Sequence, residues 1–166
     1  MDPSLITPFI KSVQNVFATM LQLPVEVEEP HVKAKPGTTH DVSAIIGMSG
    51  DCVGSVVLSF EIDSAVRIVS LFTGMEIDKD SPDFADAVGE LANMISGGAK
   101  ALFNGRRAEI STPSVVLGSG HVVASQKDVP EVVLPCVTDC GRFAIEVSIR
   151  ERATSESGAA AAGAKA

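Results

Sequence analysis

The sequence predicts an α+β fold: a mostly antiparallel sheet with helices on one face and one long exposed helix. Three observations carry that prediction. Two pairs of β-branched runs, Asp41–Met48 with Cys52–Phe60 and Glu131–Thr138 with Arg142–Arg150, are each joined by a short polar turn containing glycine, the mark of an antiparallel hairpin. Between them apolar residues recur at helical spacing, most clearly over residues 82–103. The helices come as a block between hairpins, whereas a parallel sheet would alternate strand with helix.

At the N-terminus, residues 2–6 read as a lead-in and Thr7-Pro8 as a helix start. Phe9, Val13, Val16, Phe17, Met20 and Leu21 follow as an apolar stripe, and Pro24 ends the helix. Val25, Val27 and Val32 alternate with acidic residues, but Pro30 restricts them to an edge or interrupted strand. The first hairpin turns at Ser49-Gly50-Asp51. Its glycines at 47, 50 and 54 do not predict a phosphate loop, because strand leads into strand and no helix N-terminus follows. Asp63 is the expected N-cap of a helix through Phe72, with Gly74 as its stop and Met75–Asp80 as an acidic loop.

The long helix has the clearest signals. Ser81 suits the N-cap, Pro82 the first turn, and Asp83 and Asp86 the positive end of the helix dipole. Asn104-Gly105 is the expected stop. Phe84, Val88, Leu91, Ile95 and Leu102 form the predicted core stripe. Beyond it, Arg106–Thr112 and Val115–Val123 read as strands, the second interrupted at Gly118-Ser119-Gly120. Ser125–Pro130 is a polar loop, and the second hairpin turns at Asp139-Cys140-Gly141. From Ala153 the composition collapses to Ala, Gly and Ser. Residues 1–152 are therefore expected to form one domain, and residues 153–166 a flexible low-complexity tail or an appended remnant.

Composition excludes several classes. With 45% hydrophobic residues the chain can bury a core, and with no Trp or Tyr that core is mostly aliphatic. The net charge is −8 and no Lys/Arg cluster is interleaved with aromatics, which argues against nucleic acid and anionic membrane surfaces. No apolar run approaches the roughly 20 residues of a membrane span, and the N-terminus has no secretory pattern. Three cysteines, Cys52, Cys136 and Cys140, do not make a disulfide framework, so a cytoplasmic setting is expected. Cys136-x-x-x-Cys140 with His121 crosses a hairpin tip and lacks a fourth ligand. Buried thiols and a solvent-facing imidazole are expected there in place of a zinc site. His31 and His40 show no evident partners, and Arg106-Arg107 reads as a helix-exit feature. No Gly-x-Ser-x-Gly nucleophile elbow is present.

A second row runs along the long helix: Asp86, Glu90, Asn93 and Gly97, at steps of four, three and four, stack on one face. The bland reading is a solvated face, with Asp86 serving the dipole and Gly97-Gly98 allowing close helix–sheet packing. However, Asp86-x-x-x-Glu90-x-x-Asn93, set within Gly89-Glu90-Leu91-Ala92-Asn93-Met94-Ile95-Ser96-Gly97-Gly98, resembles the signature of the CheC/CheX/FliY family of response-regulator phosphatases. The order of elements fits that family over roughly residues 5–152. The first helix offers Ser12-Val13-Gln14-Asn15 and no second copy of the motif. The chain is also too short for an added switch-protein domain, so it is most similar to the CheX branch. Gly98 departs from the pattern, standing where the family favours Asn.

The resemblance implies a homodimeric phosphatase. Its substrate is the aspartyl phosphate of a CheY-like response regulator, in chemotaxis or another two-component pathway. It implies no cofactor of the chain's own, with Mg²⁺ carried by the partner regulator. The residue chemistry suits that reaction. An acyl phosphate has a carboxylate leaving group and needs little acid catalysis, so what remains is to place one water in line with phosphorus. A neutral amide does this, accepting a hydrogen bond from the water and donating another, which makes Asn93 the expected catalytic residue. Glu90 is expected to dock to the regulator's active-site lysine. It is not a base, since a carboxylate beside a phosphoryl group repels it. Asp86 is expected at the partner's rim, and Gly97 and Gly98 are expected to give clearance for partner backbone. The alternative is a non-catalytic regulator-binding or assembly module of the same fold.

Overall fold

A computed structural model describes residues 1–35 and 40–153 of the chain. All but the first residue of the expected tail, 154–166, lie outside the described residues. Among the described residues the strands form one eight-stranded sheet with every pairing antiparallel. The strands are β1 (Glu26–Val27), β2 (His31–Val32), β3 (Val42–Gly50), β4 (Cys52–Phe60), β5 (Ala108–Ile110), β6 (Ser114–Leu117), β7 (Val132–Thr138) and β8 (Gly141–Glu151). Their order is β1-β7-β8-β4-β3-β5, with β2 also on β7 and β6 also on β3. The fold class is α+β, as the hairpin and helix patterns predict.

Both predicted hairpins form. β3 and β4 pair from Val42↔Phe60 to Met48↔Gly54, and β7 and β8 from Val132↔Val147 to Thr138↔Gly141. The last strand, β8, inserts between β4 and β7 and becomes central. Alternate residues of each strand share a face, so Val42, Ala44, Ile46, Val56, Leu58, Phe60, Phe143, Ile145 and Val147 form one fully buried surface. Burying each of the Val, Leu, Ile and Phe side chains among them is worth about 1.5–3 kcal/mol. The rings of Phe17 and Phe60 flank Phe143, with centroids 5.0 Å and 5.1 Å away.

Three helices cover that surface: α1 (Pro3–Val16), α2 (Ile62–Thr73) and α3 (Pro82–Lys100). α1 starts four residues before the predicted Thr7. Asp2 is the cap, its carboxylate accepting from Ser4 N at 2.9 Å, and Pro3 takes the first helical position. Pro8 lies inside the helix. A π-helical turn, Phe17–Leu21, closes this segment, and Gln22 at φ 51° ends it before Pro24. Glu61, not Asp63, occupies the N-cap of α2, and it makes no side-chain cap bond. Gly74 ends α2 in the left-handed conformation at φ 70°.

The opposite face of the sheet is covered as well. Ser43, Ser59, Ala144, Glu146 and Ser148 are buried there. The segment between β6 and β7 leaves the sheet beside β3 and re-enters beside β8, so it must cross the strands between them. His121 in this segment fixes its course. Its Nδ1 donates to the Gly118 carbonyl at 2.6 Å and its Nε2 lies 2.8 Å from Ser43 Oγ. The imidazole expected to face solvent is thus a fastener between the crossing segment and β3. Glu146, 1% exposed on the central strand, meets Lys33 Nζ at 2.7 Å, and the same ammonium reaches Glu131 at 3.0 Å. Among the described residues no helix is long and apolar enough to cross a membrane.

Candidate active site on the third helix

α3 begins as predicted. Ser81 Oγ accepts from Asp83 N at 3.3 Å, Pro82 occupies the first turn, and Asp83 sits at the positive end. It ends at Lys100, short of the predicted 103. The chain then tightens, with Leu102 N bonded to Ala99 O and Phe103 N to Lys100 O, and Gly105 takes φ 74°. Once the helical period stops, the stripe changes. Leu102, predicted to face the core, is 42% exposed, and Phe103 is buried in its place with its ring 6.0 Å from that of Phe9. Phe84, Val88, Leu91 and Ile95 are buried as expected.

The neighbours of α3 hold it close. On one side, Ser12 of α1 donates its hydroxyl to the Ile95 carbonyl at 2.6 Å. A side chain at Gly98 would collide with that hydroxyl, so Gly98 is what lets the two helices approach. On the other side, a Cβ at Gly89 would lie 3.1 Å from Pro113 Cγ, just before β6. Two glycines thus seat the helix between α1 and the sheet edge. Gly97 differs from both, since a Cβ there would meet nothing within 4 Å.

The second row lies on the remaining face. Asp86 and Glu90 are exposed, and Asn93 and Gly97 are half-exposed. At about 100° per residue the four positions fall within a narrow arc. Neither the Glu90 carboxylate nor the Asn93 amide has a hydrogen-bond or ion-pair partner among the described residues. They stand as an exposed ridge along the helix face. A cleft of about 1150 Å³ lies elsewhere, between α2 and the β7–β8 turn, lined by Arg67, Leu71, Met75, Lys79 and Cys140. An exposed row of polar groups without partners among the described residues suits insertion into another protein's cavity.

The other candidates resolve into structure. Cys136 is buried on β7 and its thiol is pushed up to about 12 by burial, while burial also raises Cys140. Among the described residues no group of three or more His, Cys, Asp or Glu could hold a metal ion. Arg106 pairs with Glu151 and with Asp2, fastening the start of α1 to the end of β8. His40 is near Glu61, at 3.9 Å, but burial still lowers its pKa.

Comparison with known proteins identifies the family and the fold. The family described as "Chemotaxis phosphatase CheX" matches residues 42–137. The protein named CheY-P phosphatase CheX of Thermotoga maritima is 29% identical over 121 residues, covering 71% of this chain and 78% of that one. A CheX crystal structure from Desulfovibrio desulfuricans superposes with TM-score 0.81 at 33% identity, over 89% of this chain and 99% of the other. A CheC-like superfamily protein from Shewanella sp. PV-4 gives TM-score 0.82 at 32% identity, over 90% and 99%.

Proposed function

From the premise that the chain belongs to the CheX family of chemotaxis phosphatases, we propose that it hydrolyses the aspartyl phosphate of a CheY-like response regulator, with Asn93 as the inserted catalytic residue. The observation that carries this reading is the pairing of exposed Glu90 and half-exposed Asn93, one turn apart and both without a partner among the described residues, on a helix fastened at Gly89 and Gly98. Rigid support of that kind is what positioning catalysis requires. The substrate is inferred by analogy with the relative named CheY-P phosphatase.

In this reading the two proteins share one active site. The regulator supplies the phosphoryl group, the Mg²⁺ that neutralises its oxygens, and a lysine. This chain supplies the ridge. Glu90 pairs with the lysine and sets the depth of insertion. The Asn93 carbonyl oxygen accepts a hydrogen bond from the attacking water, and its NH₂ donates to the water or to a phosphoryl oxygen. The water attacks phosphorus, the P–O bond to the aspartyl group breaks, and the regulator's carboxylate leaves without needing protonation. Asp86, one turn before Glu90, meets the rim. Gly97, where a Cβ would meet open space, lets partner backbone close over Asn93. Gly98 is engaged by α1, so its clearance serves the scaffold first.

The test is single-turnover dephosphorylation of phosphorylated CheY-like regulators. A 100-fold acceleration requires about 2.7 kcal/mol of transition-state stabilisation. Asn93→Ala should remove nearly all of it while regulator binding changes little, and Glu90→Ala should weaken both. Full activity in Asn93→Ala would refute the assignment. Tight binding by the unaltered protein with an unchanged phosphate lifetime would identify a non-catalytic module. The proposal includes a homodimer, supported by the outer flanks of β2 and β6, which are unpaired among the described residues, and light scattering tests it.

A further inference from the structure

The ridge continues one step past the motif. From Gly97 the next position on the same face is Lys100, so Asp86, Glu90, Asn93, Gly97 and Lys100 fall within an arc of about 80° at 100° per residue. Lys100 is the last residue of α3 and its side chain is 35% exposed. Its ammonium lies 3.9 Å from Glu109 of β5, itself 82% exposed, a separation at the outer limit of an ion pair. In water such a pair is weak, leaving the ammonium open to exchange for a better-placed anion. The row is therefore ordered by charge: two carboxylates, a neutral amide, bare backbone, and a cation. On a chain with net charge −8 this is a local exception.

We infer that Lys100 is a specificity-determining residue that fixes the direction in which a regulator docks, by meeting a carboxylate on the regulator's rim. The inference rests on the proposed function. With 1.5 Å of rise per residue, Glu90 and Asn93 are about 4.5 Å apart along the axis and Asn93 and Lys100 about 10.5 Å. The matching surface carries a lysine, the phosphoryl group and an acidic side chain in that order and at those unequal spacings. Docked the other way round about Asn93, Glu90 would lie on the acid's side and Lys100 on the lysine's side at mismatched spacings, so both favourable contacts would be lost and the charges brought to each side would be alike. A regulator with a neutral or basic rim at that point would be a poor substrate.

The experiment measures kcat and KM for a regulator that the unaltered protein dephosphorylates, at low and at 0.5 M salt, using Lys100→Glu, Lys100→Arg and Asn93→Ala. Lys100→Glu should raise KM on the order of five- to tenfold at low salt, with kcat changed less than twofold and the defect largely gone at 0.5 M salt. Lys100→Arg should behave as the unaltered protein. An unchanged KM in Lys100→Glu, or a defect of equal size at both salt concentrations, overturns the inference while leaving the phosphatase assignment standing. Failure of the assignment itself shows separately, as full activity in Asn93→Ala.

Discussion

Gly97 and Gly98 are neighbours in sequence, yet substitution by alanine should move stability in opposite directions. Replacing a mid-helix glycine with alanine gains about 1 kcal/mol from backbone entropy. At Gly97 nothing opposes that gain, because the new Cβ meets no atom within 4 Å. Gly97→Ala should therefore be more stable by about 1 kcal/mol. It should also be less active, since the methyl stands on the ridge beside Asn93. At Gly98 the Cβ collides with Ser12 Oγ. Moving α1 away costs on the order of 1–3 kcal/mol for overpacking, and loss of the Ser12–Ile95 hydrogen bond costs about 1 kcal/mol more. Less the helix gain, Gly98→Ala should be destabilised by about 1–3 kcal/mol. The cross-check is Ser12→Ala combined with Gly98→Ala. The nearest remaining atom is then the residue-12 Cβ, at 3.4 Å, which is ordinary contact, so stability should recover relative to Gly98→Ala. Urea unfolding gives the free energies and regulator dephosphorylation gives the activity. Equal shifts for the two single variants, or no recovery in the double variant, would refute the account of how α3 is seated.

Two further predictions concern the covered face of the sheet. Lys33→Met should destabilise by about 3 kcal/mol in urea unfolding, because it strands the Glu146 carboxylate at 1% exposure without its ammonium, and adding Glu146→Gln should restore part of the loss. The second is a pH dependence. Burial, together with a hydrogen bond that the protonated Glu131 carboxyl donates to the Glu146 carboxylate, raises the Glu131 pKa above its ordinary 4.5. The folded state then holds a proton that the unfolded chain has released, so stability from this group is greatest below 4.5 and falls as pH rises through the raised value. Glu131→Gln should flatten the stability profile over that window, measured as the urea midpoint at a series of pH values.

Much of this was legible in the sequence because it rests on local signals. The hairpins at Gly50 and Asp139–Gly141 follow from turn chemistry and β-branched runs, and α3 follows from Ser81-Pro82 and a clean apolar period. The ridge was equally legible, because side-chain stacking on a helix depends only on spacing. Misreadings arose where local signals competed or ran out. Thr7-Pro8 reads as the helix start, but the Asp2 cap bond to Ser4 begins the helix at Pro3, inside the expected lead-in. Extending the helical period past Lys100 puts Leu102 in the core, but the chain no longer obeys that period there. The role of Gly98 depends on a side chain 86 positions earlier in the sequence, which no window along α3 contains. The burial of Glu146 cannot be read locally, because the segment that crosses this face has no periodicity to read.

The placement of β8 has a consequence for how the protein is made. A ribosome delivers the chain from its N-terminus, and the β3–β4 hairpin emerges with one flank of β4 bare. The strand that closes that flank pairs Cys52 with Glu151 and Phe60 with Phe143, so it comes from the far end of the domain. Until then the nascent chain presents β4 as an unprotected edge, open to mispairing with another copy. Closure joins segments more than 80 residues apart and is slow for that reason. The sheet is thus completed only after nearly the whole domain has been synthesised, and shielding by a chaperone matters most in that interval.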